Sequence, residues 1–404
     1  MQMVRNIEKE YLMLRIMTFF RYFGDCLFYG YFYLFLESRS LSESTIGVIT
    51  ALTPIIALIT NPLWSHLSKN ANENRKLMIV ITVLEGIAIL LFTQVSVLEL
   101  IALLTILVSF VGSPFYSLHD GFIGTFAQTY KKDYTKIRFL GTFAYFFGTI
   151  FAAIMLHLTS NNYDLLLLIS GIIFVSISLF FISVKPIDLS LTKGGAEVKR
   201  NYKSILKNKT FIIYMIVYFL VNTVAFASDN FAGMFFTNYY HLESSVWSLV
   251  FGAILLCEFF TMFILSKKTE KLNYNIIWVI ISILYPLRSI MFALGLPLPI
   301  AICFSLLRGI SYGLILVVNI RCIEKICGIE NVTSALFVMA IFTAIVQALC
   351  NYVFGTVIEE IGYQPFFLIV GIAGFIGMVI NLIYQIKNKF TYVVHENLDS
   401  YKSN

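Results

Sequence analysis

Residues 163–184 read YDLLLLISGIIFVSISLFFISV, and after Asp164 no charged side chain occurs until Lys185. An α-helix needs roughly 20 apolar residues to cross a bilayer, and this run supplies them. The longest polar stretch of the chain follows, Lys185 to Lys209, with Gly194, Gly195 and mixed charge. A second apolar run begins at Thr210. The same alternation extends in both directions. Apolar segments near 11–36, 44–66, 76–96, 97–119, 137–158 and 163–184 precede the polar stretch. Segments near 210–236, 246–266, 274–294, 297–320, 334–357 and 363–385 follow it. The pattern predicts an all-α membrane protein with about twelve transmembrane helices. Its expected parts are a six-helix bundle over 1–184, a cytoplasmic linker over 185–209, and a second six-helix bundle with a short tail over 210–404.

Composition agrees. Of 404 residues, 58% are hydrophobic and 13% charged, and the mean hydropathy is +0.82. Soluble chains carry roughly 25% charged residues. A single soluble core of this length could not bury so much apolar surface. Lipid removes that problem when every backbone group is paired inside a helix. The net charge of +6 is spread over short loops, so it is not a nucleic-acid footprint. Cys26, Cys257, Cys303, Cys322, Cys327 and Cys350 lie in or beside apolar segments and read as small buried hydrophobes. No histidine or second cysteine pair accompanies Cys322 and Cys327, so no metal site is expected. The apolar stretch from Tyr11 contains Arg15, Arg21 and Asp25, unlike a cleavable signal peptide. No H-E-x-x-H, G-x-S-x-G or ATP-binding G-x-x-x-x-G-K-[ST] motif occurs, which argues against an enzyme and against a nucleotide cofactor.

Basic residues set the orientation. With both termini in the cytoplasm, the 29 Lys and Arg residues fall almost entirely on the cytoplasmic side. Arg39 alone falls outside, while Arg15, Arg21, Arg288 and Arg308 lie within predicted spans. The halves also echo each other. Leu67-Ser68-Lys69-Asn70 follows the second helix, and Leu265-Ser266-Lys267-Lys268 follows the eighth. Two parallel repeats of this kind place a solute site between them near mid-membrane.

Charges inside the spans are the functional signal. A charge at a helix centre costs about 2.5–3.5 kcal/mol even on the lenient insertion scale. Arg15, Arg21, Arg288, Arg308, Asp25, Glu85, Asp229 and Glu258 are such charges, with Asp120 and Arg138 near span ends. Unpaired, the central ones would cost on the order of 20–28 kcal/mol, more than most proteins' total stability. Arg21 and Asp25, four apart, can pair along one helix. Arg15 can snorkel to the interface. Glu85 has no local partner, and a peripheral structural role fits it as well as a functional one. Asp229, flanked by Ser228 and Asn230, suggests a hydrated wall. Glu258 and Arg288 also lack local counter-charges, so their partners must come from other helices. Pro286 loosens the helix carrying Arg288. Arg138 and Tyr145 share one helix face, as do Glu258 and Thr261. An arginine, a carboxylate, a hydroxyl and an aromatic ring suit a polyhydroxyl solute.

The chain resembles the major facilitator superfamily, and within it the lactose permease group of sugar/proton symporters. The resemblance rests on Thr45–Lys76 with Asn61-Pro62-Leu63-Trp64, and on Asp120-Gly121-Phe122 followed by Arg138-Phe139-Leu140-Gly141. Tyr145, Glu258, Thr261, Arg288 and Ile361-Gly362-Tyr363 complete it. It implies that Asp120, Arg138, Tyr145, Glu258 and Thr261 bind solute, with Tyr145 in place of a tryptophan and Thr261 in place of an asparagine. Glu258, Arg288, Arg308, Asp25 and Asp229 form the expected charge and proton network. There are departures. Ser65 and Lys69 stand where the second-helix loop signature carries glycine and aspartate. Arg308 and Ser311 stand where the permease has a histidine and its proton-carrying glutamate, and Gln347 replaces a lysine. Ser311 cannot carry a proton, so Glu258, Asp229 or Asp25 must, since burial favours the protonated form of a carboxyl group.

The expectation is a secondary transporter of a sugar, oligosaccharide or nucleoside, proton-coupled, in the plasma membrane and functional as a monomer. Its partners are the solute, protons and lipid. A proton-driven exporter of lipophilic compounds, and a non-transporting sensor on the same fold, are the alternatives. The orientation predicts that Gly194→Cys, in a chain otherwise free of cysteine, reacts with an impermeant thiol reagent in inverted vesicles and not in intact cells. Labelling from outside the cell would reverse the assignment.

Overall fold

The computed structural model describes residues 6–188, 202–266 and 273–388. In chain order the main helices are α1 (Ile7–Tyr29), α2 (Glu43–Leu67), α3 (Ala71–Phe92), α4 (Leu98–Thr129), α5 (Tyr134–Leu158) and α6 (Tyr163–Ser183). They continue as α7 (Lys209–Asp229), α8 (Ser244–Ser266), α9 (Tyr274–Ala293), α10 (Leu298–Cys327), α11 (Val332–Ile361) and α12 (Tyr363–Lys387). No strand occurs among the described residues. Ten of these helices are long and apolar enough to cross a membrane. The other two, α1 and α3, are 23 and 22 residues long and are set apart by their charges: Arg15, Arg21 and Asp25 in one, Arg75, Lys76 and Glu85 in the other. The protein is therefore an all-α, multi-pass membrane protein. Of the linker expected over 185–209, residues 189–201 lie outside the described residues, as do Lys267 and Lys268 of the repeated loop signature.

Local sequence explains where the helices start. Asn6, Ser42, Asn70, Asp133, Asn162, Asn208 and Asn273 each cap a helix, with the side-chain oxygen accepting a backbone N–H of the first turn. Breaks inside the spans also have local causes. The first predicted span is not one rod: it turns at Gly30 and Tyr31 and resumes over Phe32–Ser38. Within α4 the chain turns at Ser113-Pro114, where proline has no N–H to continue the ladder. A π-helical turn, Phe219–Thr223, interrupts α7.

Two compact units result. The first comprises Met1–Ala196, Asn230–Leu255 and Asn351–Glu359. Its core gathers Met17, Met78, Phe115, Phe122, Phe126 and Phe181. Arg75 seals one edge by donating to the carbonyls of Phe181 and Val184, both at 2.9 Å, which satisfies the open end of α6. The second comprises Glu197–Asp229, Leu256–Cys350 and Glu360–Asn404. There Tyr214, Trp278, Tyr285, Val318 and Met339 pack together, and Tyr214 stacks on Trp278 with ring centroids 4.8 Å apart. Cys26 and Cys322 are buried as expected; Cys303 is exposed, a departure from the reading of all six as buried hydrophobes.

In lipid there is little hydrophobic drive between helices, so close backbone packing holds them. In the first unit Gly86 of α3 meets Gly171 of α6: a Cβ on Gly86 would lie 2.8 Å from the Gly171 carbonyl oxygen and 2.9 Å from Val175 N. Backbone atoms cannot step aside. Gly86→Leu should therefore destabilise the protein by about 1–3 kcal/mol. Gly124→Leu should not, because nothing lies within 4 Å of a Cβ there and leucine favours the helix. Thermal melting in detergent checks the pair; equal melting points would refute the packing argument.

Candidate functional site

Four helices of the second unit each supply one charge to a common point. Asp229 ends α7, just beyond the π-helical turn. Glu258 comes from α8, Arg288 from α9 two residues after Pro286, and Arg308 from α10. Arg288 Nη2 lies 2.5 Å from Asp229 Oδ1. Arg308 bridges both acids, with Nε 3.3 Å from Asp229 Oδ2 and Nη1 3.3 Å from Glu258 Oε2. The set is two cations and two anions, so it is neutral as a whole. Side-chain exposure runs from 3% at Arg288 to 13% at Asp229 and Arg308, so the array is largely withdrawn from solvent without being sealed. Asp229 is thus gripped by two arginines while 13% of its side chain stays exposed. The Arg308 guanidinium also lies 5.1 Å over the ring of Tyr312, which stacks on Phe226 at 5.6 Å.

Thr261 sits one turn beyond Glu258, but its hydroxyl donates to the Cys257 carbonyl at 2.7 Å. Ser311 likewise donates to the Leu307 carbonyl, at 2.8 Å. Each hydroxyl gives its hydrogen to its own helix, which leaves the oxygen to accept.

Asp120, Arg138 and Tyr145 lie in the first unit. Arg138 Nε is 3.5 Å from Asp120 Oδ1, and these side chains are 40% and 36% exposed, the most open of the candidate charges. His119 Nδ1 approaches the same Asp120 oxygen at 3.6 Å, while its Nε2 pairs with Thr18 Oγ1 at 3.0 Å. Arg138 rests over the Tyr22 ring at 4.9 Å. Tyr22 in turn meets Tyr145 at 6.1 Å and Tyr116 at 5.3 Å. Tyr145 therefore joins an aromatic cluster that carries the arginine, two turns from Arg138 on α5.

Asp25 stands apart from that pair, in a buried cluster that sequence reasoning saw only in part. Arg21 Nη1 and Nη2 donate to the two oxygens of Glu85 at 2.6 and 3.0 Å, and Arg21 Nε donates to Asp25 Oδ2 at 3.2 Å. Tyr29 donates to Glu85 at 2.9 Å and Tyr116 to Asp25 at 2.8 Å. Glu85, read as lacking a local partner, finds one on another helix. Tyr22, Tyr29, Tyr116, His119 and Tyr312 were also missed. Their one sequence signal is helical spacing from a singled-out charge: Tyr29 and Tyr312 lie four residues after Asp25 and Arg308, Tyr116 four before Asp120.

Apolar helices bearing interior arrays of opposite charge fit a polytopic membrane transporter. The chain belongs to the MFS_1 like family of the major facilitator superfamily, matched over residues 11–369. It is 24% identical over 396 residues, 96% of each chain, to the uncharacterized transporter YwbF of Bacillus subtilis (strain 168). Its fold resembles that of a point mutant of the nucleoside transporter NupG, with a TM-score of 0.80 at 16% identity over 94% of this chain and 99% of that one. A bacterial homolog of the human lysosomal transporter Spinster, solved inward-facing and occupied, gives 0.67 at 11% identity over 92% and 95% of the two chains.

Removing one member of a buried ion pair leaves the other uncompensated, at a cost of about 3–5 kcal/mol. Asp229→Asn leaves Arg288 without a carboxylate and Arg308 with Glu258 alone, and should lower the melting point in detergent markedly. Thr261→Val, which removes one intrahelical hydrogen bond, should cost about 1 kcal/mol. Equal effects would show that Asp229 does not hold the array together.

Proposed function

We propose that the protein is a secondary active transporter of a small polar solute, a sugar, oligosaccharide or nucleoside, driven by proton symport through alternating access. It works as a monomer in the cell membrane, with both termini in the cytoplasm. This reading aligns it with the lactose permease-like symporters of its superfamily. The single observation that carries it is the neutral array of Asp229, Glu258, Arg288 and Arg308 on four helices. Two arginines and two carboxylates, incompletely withdrawn from water, offer strong donors and acceptors to hydroxyl and amide groups. A neutral solute can replace one of the 3.3 Å contacts of Arg308 without leaving a bare charge behind.

Asp120 and Arg138 supply a second donor–acceptor pair, half exposed, with the aromatic faces of Tyr22 and Tyr145 close by. Glu258 is the acid proposed to contact both solute and proton, and among the described residues it pairs with Arg308. Arg288 and Asp229 hold Arg308 in place. The fold shared with the nucleoside transporter NupG supports the architecture; the solute class rests on the side chains. An exporter of lipophilic compounds would need no such array of hydrogen-bonding charges. A sensor would bind solute without moving it.

The test is uptake of labelled sugars and nucleosides into proteoliposomes under an imposed pH gradient. A hydrogen bond to a charged group is worth about 1.5–3 kcal/mol. Glu258→Gln should therefore cut uptake about 10- to 100-fold. Unchanged uptake in the variant, or wild-type binding with no flux, overturns the proposal.

A further inference from the structure

The Arg21 cluster has a charge imbalance that the solute site lacks. One guanidinium faces two carboxylates, Asp25 and Glu85, and all three side chains are 1% exposed or less. No second cation pairs with either acid among the described residues. Arg21 is clamped from above and below by the rings of Phe115 and Phe174, each 3.9 Å from its central carbon. Those rings leave the guanidinium only its edge, and the two acids occupy it. With both acids ionised, the cluster would hold a net negative charge out of reach of water, which is costly in any low-dielectric interior.

We infer that Asp25 and Glu85 hold one exchangeable proton between them, making the Arg21 cluster a proton-binding site separate from the solute array. The hydrogen bonds indicate where it rests. Glu85 receives three donors: Nη1 and Nη2 of Arg21, and the Tyr29 hydroxyl. Asp25 receives two, Nε of Arg21 and the Tyr116 hydroxyl, both on Oδ2. Its Oδ1 is buried without a hydrogen bond and has only the Arg21 charge 3.1 Å away. Glu85 is therefore the better-solvated anion and Asp25 the acid.

The surroundings are otherwise poor in titratable groups. From α1 come Tyr22, Cys26 and Tyr29; from α4 come Tyr116 and, behind Phe115, His119, stacked on that ring at 5.5 Å; from α5 comes Tyr145. From α6 come Phe174 and Ser170, whose hydroxyl donates to the Gly24 carbonyl. Gly112 lets α4 close over the site, since a Cβ there would lie 2.5 Å from Glu85 Oε1. Tyr116, the donor to Asp25, packs against the ring of Tyr22, over which the half-exposed Arg138 lies.

A role for this proton in driving transport rests on the proposed function, but the site itself can be tested without flux. The full chain in detergent, without solute, is titrated while its infrared spectrum is recorded in H2O and D2O. Wild type should show the deuterium-sensitive C=O band of a protonated buried carboxylic acid. Asp25→Asn removes the acid. Glu85→Gln leaves Asp25 as the sole partner of Arg21 and so keeps it ionised. Both variants should lose the band, and Glu99→Gln should keep it. Each retains one carboxylate on Arg21, so folding is expected to survive; Tyr116→Phe, which only removes a donor to Asp25, should shift the band. Absence of the band in wild type, or its persistence in both Asp25→Asn and Glu85→Gln, overturns the inference. In proteoliposomes, Glu85→Gln should still exchange solute at equal concentrations on the two sides, and should lose gradient-driven accumulation at least tenfold. If wild type moves no solute at all, the transport reading fails while the infrared result still decides the proton site.

Discussion

Arg21, held flat between two phenylalanine rings and joined by paired hydrogen bonds to Glu85 on another helix, illustrates the constraint on which the whole structure depends. Hydrocarbon offers a charge no partner, so each charge in a span must find one in the protein or reach the interface. Partners on the same helix are limited to neighbours three or four residues away. Every other partner requires a second helix at a set height and rotation. The ionic contacts are thus positional information as much as energy. Glu85 ties α3 to α1, Asp120 ties α4 to α5, and the Asp229 array registers α7, α8, α9 and α10 against one another.

The three charge groups differ in ways that follow from their access to water. The Arg21 cluster is sealed and carries unequal charge. The Asp229 array is balanced and partly accessible. The Asp120–Arg138 pair is half exposed and, at 3.5 Å, loosely made. Exposed pairs are worth little to stability, and buried ones seldom repay their desolvation in full. Net stability therefore does not account for their presence in spans of otherwise apolar sequence. The helices themselves are held by other means, through glycines such as Gly86 and Gly171 that bring backbones into contact.

Departures from the permease pattern also have a physical account. Where that pattern has an acid on the tenth helix, Ser311 turns its hydroxyl back to the Leu307 carbonyl and can hold no proton. Arg308, one turn earlier, reaches the acids of α7 and α8. In the first turns of α3, Arg75 closes the end of α6 and Asn72 makes a reciprocal pair of hydrogen bonds with Ile187, at 2.9 and 2.7 Å. The start of α3 is thereby tied into its own unit by contacts that no local motif encodes.

The amino-acid sequence by itself determined the fold class, the number and approximate limits of the spans, and the membership of a transporter superfamily. Those properties are one-dimensional: apolar length, capping residues such as Asn70 and Asp133, and turn formers such as Pro114 act over a few neighbouring positions. It also exposed the charges that require explanation. Only the tertiary structure decided who answers whom. Glu85 looked solitary because its partner lies 64 positions away in the chain. Asp229 stands among polar neighbours in the chain, but the two arginines that pair with it come from other helices. Thr261 shares a face with Glu258, yet its hydroxyl hydrogen goes to its own helix, which no spacing rule announced. Pairing across helices depends on the rotation and height of each one, and no local pattern of residues encodes those two quantities.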